Sequence, residues 1–187
     1  GSWGNRNGQF SYPHKIVIDS SDNVYVSDYR NHRVQKFDSK GTWLQNFSVY
    51  GPVALDVDSS GNVYVGSFHR SQIVKFDSSG SEVKRWSASY PHGLAVKDGY
   101  VYVAQFYSQK IVKYKTDGTY TKSWYAYYPV EVEPTSNGIY VISHYRHAVY
   151  LYSTDGAFKK AWGGCCRGNT RFYYPYGLGS DSAGNIY

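Results

Sequence analysis

Asn23-Val24-Tyr25-Val26-Ser27-Asp28-Tyr29-Arg30-Asn31-His32-Arg33-Val34-Gln35-Lys36-Phe37-Asp38, followed by a turn at Gly41, is the stretch that decides how this chain folds. Val24-Tyr25-Val26 alternates with period two, as does the run that ends at Phe37, and polar turn residues bound both, so the stretch reads as two short antiparallel strands. The pattern then recurs. Tyr25, Tyr64, Tyr102 and Tyr140 are spaced by 39, 38 and 38 residues, and Gly41, Gly80, Gly118 and Gly156 keep the same steps, as do Phe47, Trp86, Trp124 and Trp162. Pro13, Pro52, Pro91, Pro129 and Pro175 open successive units. A period of about 40 residues with several short strands per period is the mark of a β-propeller blade.

No segment reads as a helix, and repeats are expected over about 10–48, 49–87, 88–125, 126–163 and 164–187, the last cut short. Gly1 to Phe10 aligns with Gly163 to Phe172, so the chain opens inside a connection between repeats, and it stops in a strand at Ile186-Tyr187. There is no Met. The expectation is a piece of a longer processed protein, with Gly1-Ser2 alternatively a remnant of cloning. Were the ends real, two bare strand edges would favour self-association.

Composition sets further bounds. No apolar stretch approaches the roughly 18 residues that a membrane span needs, so no membrane insertion is expected. A formal charge of +6 permits anionic partners without demanding them. Twenty-two tyrosines stand out; those in strands are expected to pack blade against blade.

The first repeat carries a resemblance. Asn7-Gly8-Gln9-Phe10, Pro13, Ile16-Val17-Ile18-Asp19, the runs Asn23 to Asp28 and Asn31 to Asp38 quoted above, and Gly41 closely resemble an NHL repeat. Later repeats depart from it: Asp28 gives way to Ser67, Gln105 and Ser143, and Asn31-His32-Arg33 to Arg70-Ser71-Gln72, Ser108-Gln109-Lys110 and Arg146-His147-Ala148. The resemblance implies an all-β β-propeller of four-stranded antiparallel blades, with about four and a half blades present of an expected six. The family includes scaffolds, RNA binders and, in related propellers, metal-dependent lyases.

Blade topology sorts the loops. Strand 1–2 turns (Asp19 to Asn23, Asp58 to Asn62) and strand 3–4 turns (Asp38 to Gly41, Asp77 to Gly80) lie at one end of each blade, and their residues are those that tight turns demand. Strand 2–3 loops and inter-blade connections lie at the other end. They hold all six histidines and most loop aromatics, and polar turns need neither, so this end is the expected binding surface. Tyr29, Arg30, Arg33, His69, Arg70, Tyr107, His144, Tyr145 and Arg146 are its candidate ligand-binding residues.

The expected activity is non-catalytic recognition of a protein, peptide or glycan, because no nucleophile with its base and no phosphate loop is apparent; Glu131 and Glu133 read as solvated strand acids. Single-stranded RNA is an alternative, since stacking aromatics interleaved with Arg suit it, although Lys36, Lys75, Lys113, Lys159 and Lys160 read as solvated decoration of outer strands. A second alternative follows from Pro13-His14 and Pro91-His92, which are similar to the Pro-His pairs of the peptidyl-hydroxyglycine amidating lyase propeller. That resemblance implies a divalent metal at the channel mouth held by His14, His92 and, in place of a third histidine, Tyr176. The adjacent Cys165-Cys166 fit no zinc spacing and close only a strained vicinal disulfide, pair elsewhere or stay reduced. Together with the acceptor pattern Asn46-Phe47-Ser48, they lean towards an extracellular or cell-surface location.

Overall fold

The computed structural model describes residues 2–164, 172–181 and 184–187. Cys165, Cys166, Arg167 and Arg171, which the sequence places in the longest connection, lie outside the described residues.

Four antiparallel four-stranded sheets follow one another in chain order, each a simple meander. Blade 1 comprises Pro13–Ile18, Val24–Asp28, Arg33–Phe37 and Trp43–Ser48. Blade 2 comprises Pro52–Val57, Val63–Ser67, Gln72–Phe76 and Glu82–Ser87. Blade 3 comprises Pro91–Lys97, Tyr100–Gln105, Lys110–Lys115 and Tyr120–Tyr125, and blade 4 Pro129–Thr135, Gly138–Ser143, Ala148–Tyr152 and Phe158–Gly163. These are the four-stranded blades of a β-propeller, and among the described residues beyond blade 4 an isolated antiparallel bridge joins Ser180 to Ile186. Ser2–Trp3 and Gln9–Phe10 form a short parallel pair. Among the described residues, one departure from an all-strand reading is the 3-10 turn at Tyr29–Asn31. No helix among the described residues is long and apolar enough to cross a membrane.

Pro13, Pro52, Pro91 and Pro129 each start a first strand, where the missing N–H costs no ladder bond. The register slips directly after three of them, between Pro13 and Ile16, Pro52 and Ala54, and Pro129 and Glu131. Such bulges bend a strand and re-aim its side chains.

The chain divides into two compact units, Gly1–Pro91 and His92–Tyr187. In the first, Tyr25, Val34 and Phe47 of blade 1 pack against Leu55, Val63, Val65, Val74 and Phe76 of blade 2. In the second, Tyr102, Ala104 and Ile111 of blade 3 pack against Val132, Ile139, Val141 and Tyr152 of blade 4. The strand tyrosines Tyr25, Tyr64, Tyr102 and Tyr140 are all buried, and this is how the repeat spacing becomes a core. Burial pushes the phenol of Tyr152 up to about 12. The strand lysines are not simple decoration: Lys36, Lys75 and Lys113 lie 5.0, 5.1 and 5.2 Å from the rings of Tyr25, Tyr64 and Tyr102. Glu131 also departs from the solvated reading, being buried with its Oε1 accepting from the Val132 N–H at 3.2 Å.

Candidate recognition surface

At the short-turn end of each blade the polar groups satisfy one another. Asp19 Oδ1 accepts from the N–H groups of Ser21 and Asn23 at 2.9 Å each, and Asp19 Oδ2 accepts from the Tyr25 hydroxyl at 3.0 Å. Asp58 repeats the set with Ser60, Asn62 and Tyr64, and Asp181 does so with Asn185 and Tyr187. Burial alone would raise the Asp19 carboxyl, but the bonds from Asn23, Ser21 and Tyr25 outweigh it and hold the group below the ordinary aspartate value. Turn formation consumes these groups, so this end offers a ligand little.

The loop end differs. The residue before the blade-opening proline lies in the left-handed region five times, as Tyr12 (φ 53°), Gly51 (51°), Tyr90 (42°), Tyr128 (40°) and Tyr174 (48°). A residue before proline ordinarily stays extended, and left-handed backbone at a side-chain-bearing residue costs about 1–2 kcal/mol. Only Gly51 escapes that cost. Strain of this kind persists where surrounding structure enforces it, and it clusters at ligand sites.

In the first unit, Tyr29 is central. Its hydroxyl lies 2.6 Å from His69 Nε2, and its ring lies 5.2 Å from the His14 ring. Burial lowers the His14 imidazole pKa. Arg30 stacks 3.9 Å over Tyr12, and Arg70 lies 4.7 Å from the ring of Tyr50, which stacks on His32 at 4.2 Å. Arg33 turns inward instead: its Nε donates to Asp28 Oδ2 at 2.9 Å and its guanidinium also donates to the carbonyls of Arg6 and Gln9. Asp28 is fully buried and additionally accepts from the Ser11 N–H, Asn31 and Gln35. The Asp28, Asn31 and Arg33 signature thus ties the N-terminal segment to blade 1.

In the second unit the rings run together. His92 contacts Phe106 (5.6 Å) and Tyr176 (5.3 Å), and Phe106 contacts Tyr107 (5.1 Å), Tyr128 (5.2 Å) and Tyr145 (6.0 Å). Tyr128 meets Tyr145 at 4.9 Å, and Tyr145 meets His144 at 5.3 Å. His144 meets Tyr174 at 4.8 Å, and Tyr174 leads on to His147 and Tyr173 at 4.6 and 4.7 Å. Arg146 lies 4.7 Å from the ring of Tyr127. Tyr107 is 59% exposed and Tyr173 73% exposed, so the array reaches solvent. The candidates Tyr107, His144, Tyr145 and Arg146 are therefore neighbours in one surface of this unit, as Tyr29 and His69 are in the other.

The metal expectation finds two of its three donors together. Tyr176 Oη lies 3.0 Å from His92 Nε2, and His92 Nδ1 lies 3.0 Å from the Val130 carbonyl. A carbonyl only accepts, so in the neutral ring Nδ1 carries the proton and the Tyr176 hydroxyl donates to Nε2. Burial, and then the charge of Glu131, raise the Tyr176 phenol. His14 belongs to the first unit, and among the described residues no group of three or more His, Cys, Asp or Glu side chains could hold a metal ion. Within the second unit the expected donors are therefore two, His92 and Tyr176, hydrogen-bonded to each other.

Sequence reasoning missed the Arg–Tyr stacks and the inward role of Arg33. Spacing held part of that signal, because Arg70 and Arg146 occupy equivalent positions, as do Tyr50 and Tyr127.

Comparison with known proteins fits the blades. Residues 10–37 match the NHL repeat family model. Among solved structures, a streptogramin B lyase superposes with a TM-score of 0.80 at 18% identity, covering 95% of this chain and 61% of that one. Hydrazine synthase of Kuenenia stuttgartiensis superposes with a TM-score of 0.72 at 17% identity, covering 96% and 55%. Virginiamycin B lyase from Staphylococcus aureus follows with a TM-score of 0.71 at 15% identity, covering 94% and 68%. At these identities the likeness is one of fold, and the chain spans less than two thirds of the first two structures. No curated protein matches the chain in sequence.

Proposed function

For a β-propeller chain whose first blade carries an NHL repeat, we propose non-catalytic recognition of a protein or peptide through the tyrosine-, arginine- and histidine-bearing loop ends of its blades. NHL-repeat propellers are in general protein-binding modules. The observation that carries the reading is the continuous ring array of the second unit, from His92 through Tyr145 to Tyr173, with exposed tyrosines and Arg146 beside it. Tyrosine and arginine are the residues that anchor interfaces: a large, stiff, amphipathic ring gives contact area at little entropic cost, and an arginine adds charge and a planar donor fork. Left-handed backbone at Tyr128 and Tyr174 holds rings of this array in place, which is preorganisation obtained at the expense of stability.

A peptide-display selection on the immobilised protein tests this. Selected peptides should lose at least tenfold in affinity for the Tyr107→Ala, Tyr145→Ala pair and keep full affinity for the Ser21→Ala, Ser60→Ala pair in the short turns. Ligands indifferent to the tyrosine pair would overturn the reading. A ligand set confined to single-stranded RNA, with affinity falling steeply as salt rises, would replace it with the nucleic-acid alternative.

A further inference from the structure

Within the first unit, a cleft of ≈ 310 Å³ is lined by His32, Ser48, Tyr50, Arg70, Gln72 and Arg85, with the buried Val49 completing it. We propose that this cleft binds a carboxylate, the acidic end of a peptide ligand; the proposal rests on the recognition reading above and specifies one of its sites.

The lining is rich in donors and poor in acceptors. Arg70 lies 4.7 Å from the ring of Tyr50 and has no carboxylate within ion-pair distance among the described residues. Its fork is therefore steadied by the ring while its charge is unanswered. Arg85 is oriented by both oxygens of Glu82, at 2.8 and 2.6 Å, and its Nη1 lies 3.5 Å from Gln72 Oε1. That contact leaves the Gln72 amide NH2 as a donor. The Gly51 N–H donates to His32 Nδ1 at 3.1 Å, so the neutral ring carries its hydrogen on Nε2. The Ser48 hydroxyl adds a further polar group. A concave site of guanidinium, amide, imidazole and hydroxyl donors matches a ligand that only accepts, and a planar guanidinium fork matches a carboxylate in particular.

The fold does not require this arrangement. At the connection between blades 2 and 3, the positions of His32, Tyr50 and Arg70 are taken by Ser71, Ser89 and Ser108. Between blades 3 and 4, Arg146 and Tyr127 repeat the stack, but the third position is Gln109, whose Oε1 accepts from the Tyr125 hydroxyl at 3.1 Å. Neither alternative disturbs the blades, so the histidine, tyrosine and arginine combination beside the cleft is a local property and not a folding need.

The probe is fluorescein-labelled Gly-Ser-Gly-Glu-Glu with a free C-terminal carboxylate, compared by fluorescence anisotropy with amidated Gly-Ser-Gly-Gln-Gln. The acidic peptide should bind saturably and the neutral one at least tenfold more weakly. Arg70→Gln should cost at least tenfold, and Arg70→Lys, which keeps charge without the fork, should fall between. Lys40→Gln, an equal loss of charge on an exposed short turn, should leave affinity unchanged; an effect as large as that of Arg70→Gln would mean diffuse attraction and overturn the proposal. So would equal binding of both peptides, or no saturable binding of the acidic peptide at millimolar concentration. If display-selected peptides depend on Tyr145 while Arg70→Gln is silent towards every acidic probe, the recognition surface stands and the cleft falls. Near-UV circular dichroism of the variants, which alter exposed side chains, confirms that they are folded.

Discussion

Replacing Asp28 by Ala should be among the most damaging single changes to this protein. The carboxylate has no solvent exposure, and it accepts from the Ser11 N–H at 2.7 Å, Asn31 Nδ2 at 2.9 Å, Arg33 Nε at 2.9 Å and Gln35 Nε2 at 3.0 Å. Truncation leaves the guanidinium of Arg33, only 12% exposed, without its counter-charge, and leaves the N–H of the buried Ser11 without that acceptor. Removing one partner of a buried ion pair costs about 3–5 kcal/mol. For a chain of this length each kcal/mol lowers Tm by about 2–4 °C, so the loss should be of order 10 °C. The damage should also be directed. Arg33 donates to the Arg6 and Gln9 carbonyls, Asn31 to the Gly4 carbonyl, and Gln35 Oε1 accepts from the Gly8 N–H. Asp28→Ala should therefore release the segment from Gly4 to Gln9, speeding amide exchange at Gly8 and Gln9 ahead of global unfolding. Urea denaturation of wild type, Asp28→Ala, Arg33→Ala and the double variant measures the cost and the coupling. A cost below about 1 kcal/mol for Asp28→Ala, or additive effects of the two changes, would refute the account.

Three further outcomes follow from the geometry. The Asp19 carboxyl is held below its ordinary 3.8, so the unfolded chain takes up its proton first: the stabilisation is complete above that pH and is lost as pH falls through the folded value, and Asp19→Asn should flatten the decline of Tm across this acid range. A Cβ at Gly66 would lie 2.8 Å from the Ala54 Cβ and 3.2 Å from the Pro91 Cβ, so Gly66→Ala should cost about 1–3 kcal/mol by urea denaturation, and a neutral result would mean that the blade has slack there. Elemental analysis should find less than about a tenth of an equivalent of zinc, copper, iron or calcium; stoichiometric metal that disappears in the His14→Ala, His92→Ala variant would restore the metal reading.

Everything periodic in this protein can be read from its residues alone. Spacing among Tyr25, Tyr64, Tyr102 and Tyr140 located the strands and the core, because a blade interior must repeat the same burial at the same strand position. The loop end was legible for a related reason: turn geometry accounts for Asp, Ser, Gly and Asn at the short turns and for none of the rings at the other end. Tertiary structure decided which loop side chains face outward. Arg30 and Arg33 stand three residues apart in sequence, yet one stacks on Tyr12 and the other closes on a buried carboxylate. Glu131 looked solvated because alternation places a residue on a face of its strand without saying what covers that face. Pairings such as Tyr176 with His92, 84 residues apart, and Tyr50 with Arg70 depend on where different repeats set their loops, and local sequence carries no information on that distance.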